Sequence, residues 1–350
     1  MMLIAKDSNG RLVYAWRARS NQKYVCPDCG YEVCLRTGLQ KAAYFAHRRQ
    51  TDCKNDVGES NLHMMGKFQM WQWASQHGWQ PHLEVYLPAI KQRPDLLLSH
   101  HGQQIAMEFQ CSPLSLKRLE ERNYGYRELQ LGFIWYLGPR YRHHLRSKKR
   151  AQFVQEYQGH PALFWWNLKR SQPQYQILDL PSPAKQTQLI RQLYQLRRYP
   201  RAHFALRNLC YESGHLLNCC PLVAHCNMAV PFLMRQSDFE WRLGLLLWLE
   251  SMPILREWTT SGWLKEVDQQ TSWQSCPCLT KAFVKQLHEQ QLIEFTQELM
   301  RADIICRTRF GFYLKKRPQW FSDESNKMAT IMALKQEQKH SLKASPILVE

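Results

Sequence analysis

No stretch of this 350-residue chain stays apolar for long enough to span a bilayer. The longest such run in its second half, LGLLLWL at 243–249, lies between Arg242 and Glu250. The opening MMLIAKDSNGRLVYAW reaches Lys6 and Asp7 too early for the apolar core of a secretory signal, so the expected location is cytoplasmic. GxGxxG, the P-loop pattern and internal repeats are all missing, which leaves an ATP-driven motor without support. Acidic residues are scarce: 29 Asp and Glu stand against 47 Lys and Arg, for a formal net charge of +18 and a pI near 9.5. A polyanion is the first partner to consider, nucleic acid ahead of an acidic membrane. The 13 Trp and 15 Tyr are compatible with base stacking beside phosphate contact, although most of them must be core.

Twelve cysteines in a reducing compartment read as thiols, and their clusters as metal ligands rather than disulfides. In YVCPDCGYEVCLRTGLQKAAYFAHRRQTDC, Cys26 and Cys29 form a CxxC turn followed by glycine, and His47 and Cys53 supply a second pair. Three thiolates and an imidazole suit tetrahedral Zn²⁺. Cys34 is the ambiguous member: it can replace Cys53 as ligand, or sit as a small buried residue in a strand, the reading we favour. Downstream, Cys210, Cys219, Cys220, His225 and Cys226 crowd together without a CxxC, a weaker zinc pattern, and Cys276 and Cys278 fall at a helix start.

RPDLLLSHHGQQIAMEFQ, residues 93–110, reads as two strands, 94–100 and 103–110, joined at His101-Gly102. Counting outward from a two-residue turn sets Ser99 opposite Gln104 and Asp95 opposite Glu108, with Gln110 on the same face. Leu96, Leu98, Ile105, Met107 and Phe109 make the other, apolar face, free to pack on helices while the polar face looks outward. Facing carboxylates repel unless a cation lies between them or one keeps its proton. Hard oxygen ligands suit Mg²⁺ (or Mn²⁺); the competing reading is a solvated hairpin. Ahead of it, ESNLHMMGKFQMWQWASQH reads as an amphipathic helix with Glu59, His63 and Lys67 on one stripe, either solvated or bringing a third acid to the metal. A strand near 82–88, the helix SLKRLEERNYGYRELQ and the strand LGFIWYLG complete an αβββαβ order, a mixed α/β core.

The set CPDCG, YFAHRR, ESNLH, RPDLLL, MEFQCS and ERNYGYRELQLGFIWYLG, in this order over residues 1–140, resembles the competence protein CoiA-like family. The resemblance implies an N-terminal zinc-ribbon-like module and a nuclease-like domain of the PD-(D/E)xK superfamily, a restriction-endonuclease-like mixed sheet associated with processing incoming DNA in natural transformation. Its motif falls on Asp95, Glu108 and Gln110, the last standing where lysine is usual. Glu59 and His63 match the family's ESxxH pattern. Arg122 and Tyr126 match its helix after the motif, where the basic residue can compensate for the missing lysine.

The expected division is 1–57 zinc-ribbon-like, 58–179 nuclease-like, 186–321 mostly α-helical and of unknown role, and 322–350 a flexible tail. LPSPAK at 180–185 serves as linker. Asp95, Glu108 and Glu59 would hold Mg²⁺, Gln110 would orient water, and His63 would move a proton or contact phosphate. Lys67, Arg93, Arg122 and Tyr126 are candidate DNA contacts. So are Arg146, Lys148, Lys149 and Arg150 in RYRHHLRSKKR, a run that either tracks a DNA backbone or is a solvated linker. Two functions fit: a metal-dependent DNA nuclease, or a noncatalytic adaptor that binds DNA, single-stranded DNA included, and loads a recombinase or meets other uptake proteins.

Overall fold

A computed structural model describes residues 2–38, 41–48, 53, 60–142, 145–227 and 232–341. It falls into two compact units, Met1–Ile177 with Pro277–Leu279, and Leu178–Cys276 with Thr280–Glu350.

The first unit begins with a small antiparallel sheet in the order β2-β1-β3-β4-β5, built from β1 (Ile4–Lys6), β2 (Leu12–Tyr14), β3 (Tyr24–Val25), β4 (Glu32–Gly38) and β5 (Lys41–His47). Met2, Tyr24, Val33 and Phe45 close its own small core. Helix α1 (Asn61–Gln76) follows, capped by Ser60, whose hydroxyl accepts from the His63 amide. The larger sheet takes β6 (Gln80–Leu83), β7 (Leu96–His100) and β8 (Gln103–Gln110), then, after α2 (Leu116–Glu128), β9 (Gly132–Leu137). After α3 (Pro139–Arg142) and α4 (Ser147–Phe153) come β10 (Gln155–Tyr157), β11 (His160–Asn167) and β12 (Gln172–Ile177). The strand order is β10-β11-β9-β8-β7-β6, with β12 paired to β11.

The β7–β8 hairpin has the register counted from the sequence, with His100 opposite Gln103, Ser99 opposite Gln104 and Leu96 opposite Met107. His101 and Gly102 both hold positive φ, 45° and 80°, the left-handed pair that a tight two-residue turn between twisted strands requires. One side of the hairpin, Leu96, Leu98, Met107 and Phe109, packs with Met64 and Met70 of α1. The other side differs from expectation. It does not look into solvent, because α2 covers it: Leu97 and Ala106 are buried with Tyr126. β8 and β9 run parallel, so the sheet has helices on both faces, as parallel pairing in α/β folds usually demands. The strand expected over 82–88 stops at Leu83, where Glu84 takes a positive φ of 53° and Pro88–Ile90 forms a short 3₁₀ turn.

The second unit contains β13 (Ser182–Pro183), α5 (Gln186–Arg198), α6 (Phe204–Glu212), β14 (Cys226–Asn227), α7 (Asp238–Glu250), β15 (Glu257–Thr259), α8 (Thr260–Gln269), α9 (Lys281–Arg301), β16 (Ile305–Arg307), β17 (Gly311–Leu314) and α10 (Glu324–Ser341). It is mostly helical. The segment expected to be a flexible tail contains α10, whose Ile331 and Met328 pack against Leu189 and Leu193 of α5, apolar burial that a polar-looking sequence concealed. Among the described residues no helix is long and apolar enough to cross a membrane.

Gly66 of α1 lies against the Phe109 ring of β8. A Cβ there would lie 1.9 Å from a carbon of the Phe109 ring. Gly66→Ala should therefore lower the unfolding free energy by about 1–3 kcal/mol through overpacking. Urea denaturation measures this, and a midpoint equal to the parent's would mean that the ring moves aside without cost.

Candidate metal centre and acid site

The CPDCG turn is built by backbone bonds that fold the chain over the thiols: the Cys26 amide donates to Tyr31 O at 2.8 Å and the Gly30 amide to Cys26 O at 3.0 Å. β5 ends at His47, beside that turn. The Cys26 and Cys53 sulfurs lie 3.8 Å apart, Cys29 Sγ lies 3.2 Å from His47 Nε2, and all four ligand atoms fall within 4.8 Å of one another. Bonds of about 2.3 Å to a tetrahedral zinc put two thiolates about 3.8 Å apart, so the donor set and its spacing fit Zn²⁺. Cys34 does not join them. On β4 it points its thiol at Ala46 O, 3.4 Å away. Among the described residues the downstream cysteines form no comparable group. There the buried Lys327 Nζ lies 3.2 Å from Cys220 Sγ and 2.9 Å from His225 Nε2.

Asp95 immediately precedes β7 and Glu108 lies on β8. Each carboxylate is gripped by one oxygen. Asp95 Oδ2 accepts from the Phe109 amide at 2.8 Å and stands 3.1 Å from His63 Nε2. Glu108 Oε1 accepts from Arg122 Nη2 and from the Tyr126 hydroxyl, and Arg122 Nη2 also reaches Arg93 O at 2.9 Å. Glu108 is only 4% exposed.

The two acids are displaced in opposite directions. Burial would raise the Asp95 carboxyl, but His63, the Lys67 charge and the Phe109 amide outweigh it and hold the group well below the aspartate range. Burial pushes the Glu108 carboxyl up against the pull of Arg122; the Asp95 charge adds to the rise, Tyr126 opposes it, and the net displacement is upward. Asp95 thus contributes stability above the ordinary aspartate value and loses it only as pH falls through its depressed one. Glu108 works in reverse: its contribution is complete in acid and lost as pH rises through its elevated value.

Several residues stand elsewhere than the sequence suggested. Lys67, Arg122 and Tyr126, expected to face DNA, are turned inward. The Lys67 ammonium is fully buried and paired with Glu84, while Arg122 and Tyr126 hold Glu108. Arg93 grips Asp28, one of the two residues between Cys26 and Cys29, and so ties the ribbon to the loop that carries Asp95. Lys149 donates to Leu114 O and to Gln152 Oε1, and Arg150 is half-buried, whereas Arg146 and Lys148 are exposed. Gln110 Nε2 donates to Ser112 O. Glu59 lies outside the described residues. Glu84 was missed; its signal was a lone acid in the stretch taken as the first strand.

Two family models match in sequence order: the N-terminal domain of competence protein CoiA over residues 12–56, and the nuclease-like domain of competence protein CoiA over 59–213. The chain belongs to the competence protein CoiA-like family. Competence protein CoiA of Bacillus subtilis (strain 168) is 34% identical over 127 residues, a stretch covering 35% of this chain and 34% of that relative. The match thus spans about a third of the relative's length. No solved structure matches. The Cys26, Cys29, His47 and Cys53 group and the acid pair both fall inside the matched domains.

Metal analysis of the purified protein should find about one tightly held zinc per chain at this site. Cys26→Ser should remove it and lower the melting temperature, because a ribbon this small depends on its metal. Full zinc content with parental melting in that variant would contradict the assignment.

Proposed function

We propose that this protein is a divalent-cation-dependent deoxyribonuclease acting on incoming DNA during natural transformation. The observation that carries the reading is the pairing of Asp95 with Glu108 at one edge of the hairpin, each held through a single oxygen. That arrangement leaves Asp95 Oδ1 and Glu108 Oε2 to bind a cation. All-oxygen donors suit Mg²⁺ or Mn²⁺ rather than the softer metal of the ribbon. When bound, Mg²⁺ would supply positive charge against a scissile phosphate and lower the pKa of water beside it.

The chain's own residues would do the rest. The Phe109 amide and His63 fix the Asp95 rotamer, and His63 is placed to carry a proton at its ring nitrogen. Gln110, whose Nε2 is engaged with Ser112 O, would use its Oε1 to orient water. Lys67 cannot touch DNA, but its buried charge acts on Asp95 and stands in for part of the field the usual motif lysine provides. Arg146 and Lys148 remain the exposed candidates for backbone contact.

A second reading is favoured by one observation: Arg122 already neutralises Glu108 from within. A noncatalytic adaptor that kept a nuclease fold, bound DNA and met a recombinase or other uptake proteins would need no more than that.

Labelled single- and double-stranded DNA incubated with Mg²⁺ or Mn²⁺ should be cut, and Asp95→Ala and Glu108→Gln should each abolish cutting while binding persists. Cleavage by neither the parent nor any metal, or by the variants as well as the parent, rejects the enzyme in favour of the adaptor. Because Glu108 titrates above the ordinary glutamate range, cation affinity should climb as pH rises through that elevated value, with a proton released on binding. Calorimetry in two buffers of different ionisation enthalpy reads the proton; affinity independent of pH with no release would place the cation elsewhere.

A further inference from the structure

The second unit carries a feature the acid site does not use. From Gln186 to Tyr211 the sequence has no Asp or Glu and five Arg, at positions 191, 197, 198, 201 and 207. Within it, Tyr194, Tyr199, Phe204 and Tyr211 are 61%, 54%, 66% and 76% exposed. Nine large aromatic rings are at least half open to solvent among the described residues, the others being Tyr31, Tyr86, Tyr124, Tyr175 and Phe310, and four of the nine fall in this one short stretch.

The exposure is not a sign of loose packing. α5 turns Leu189, Leu193 and Leu196 inward, which leaves Arg191, Tyr194 and Arg198 on the opposite stripe at helical spacing, a ring between two guanidiniums. The Arg198 guanidinium lies 5.6 Å from the centre of the Tyr199 ring. Arg207 then clips the corner between α5 and α6: it donates to Leu196 O, to Pro200 O at 3.2 Å and to Asn218 Oδ1 at 3.3 Å. The rings on both sides of the corner are therefore held on a fixed frame.

We propose that this face, α5 through the Pro200–His203 turn to α6, is a stacking platform for single-stranded DNA. The inference rests on DNA being the partner, not on the acid site being catalytic. Unpaired bases offer flat apolar faces to isolated rings, and the phosphates between them meet the arginines that flank those rings. Duplex DNA hides its bases and has no use for such rings. An acidic membrane would call for a continuous apolar face; here the solvent side of α5 alternates charge and ring, and its leucines point inward. Separating strand capture from the acid site would let one module hold a strand while the other meets its phosphodiesters.

The test is photocrosslinking of full-length protein bearing Asp95→Asn to a short oligodeoxynucleotide containing 5-iododeoxyuridine, with the attachment sites mapped by mass spectrometry. Crosslinks at Tyr194, Tyr199, Phe204 or Tyr211 are expected. Attachment confined to other rings overturns the platform, whether or not the parent cuts DNA. The triple variant Tyr194→Ala, Tyr199→Ala, Phe204→Ala should weaken binding to oligothymidylate at least about tenfold while changing duplex binding little. Arg191→Gln with Arg198→Gln should flatten the salt dependence of single-strand binding by about 0.7 per lost phosphate contact. Equal losses for single strand and duplex, or binding to phosphatidylglycerol vesicles with no preference for single strands, would overturn the proposal. Should the triple variant fail to fold, the crosslink map of the otherwise native chain decides alone.

Discussion

Placing two carboxylates side by side inside a sheet that helices cover on both faces is the constraint that organises the first unit. Neither acid could remain charged there alone, because burial disfavours the ionised form and each carboxylate opposes the other. The fold answers with three elements. α1 brings His63 and the buried charge of Lys67 toward Asp95, β8 offers the Phe109 amide, and α2 delivers Arg122 and Tyr126 to Glu108. The result is asymmetric. Asp95 is kept ionised far into acid, whereas Glu108 is raised, a division that suits one permanent anion and one group whose charge depends on what lies beside it.

The same constraint explains features remote from the acids. Gly66 exists as glycine because α1 must press on Phe109, whose amide fixes Asp95. Arg93 reaches across to Asp28 inside the cysteine turn while its carbonyl receives Arg122, so a short chain of contacts links the metal ribbon to Glu108. The cysteine ribbon and the acid pair offer different donor chemistries, thiolate and imidazole on one side and carboxylate on the other, which favour different classes of ion. Two of the cations near the acids, Lys67 and Arg122, are turned inward, while in the second unit Arg191, Arg197, Arg198 and Arg201 stay exposed in the stretch that carries Tyr194 and Phe204.

The hairpin was legible because its information is local. His101-Gly102 fixes the turn, period-two alternation fixes the faces, and the register follows by counting. The Cys26, Cys29, His47 and Cys53 group was legible for a similar reason, since CxxC spacing is a geometric statement. What covered the acid face was not legible. An alternation that reads as half-buried becomes fully buried when a later helix, here α2, lands on it, and no local pattern announces that event. Basic residues were misread for the same cause: Lys67 and Arg122 look like surface charges in a chain of net charge +18, and only their tertiary partners, Glu84 and Glu108, reveal them as internal. Glu84 itself escaped because the strand expected over 82–88 ends at Leu83, just before it. In α10, Ile331 and Met328 were too few to mark an ordered helix against a polar background.

The most direct examination of the acid site is a diffraction experiment on crystals soaked in Mn²⁺, with data collected at a wavelength that reports the ion by anomalous scattering. The account requires a peak between Asp95 Oδ1 and Glu108 Oε2, with Arg122 still on Oε1 and His63 still beside Oδ2. The peak should vanish in Glu108→Gln. Strong occupancy at the cysteine ribbon or elsewhere, with nothing between the two carboxylates, would contradict it and leave Arg122 as the permanent counter-ion of a site that binds DNA without cutting it.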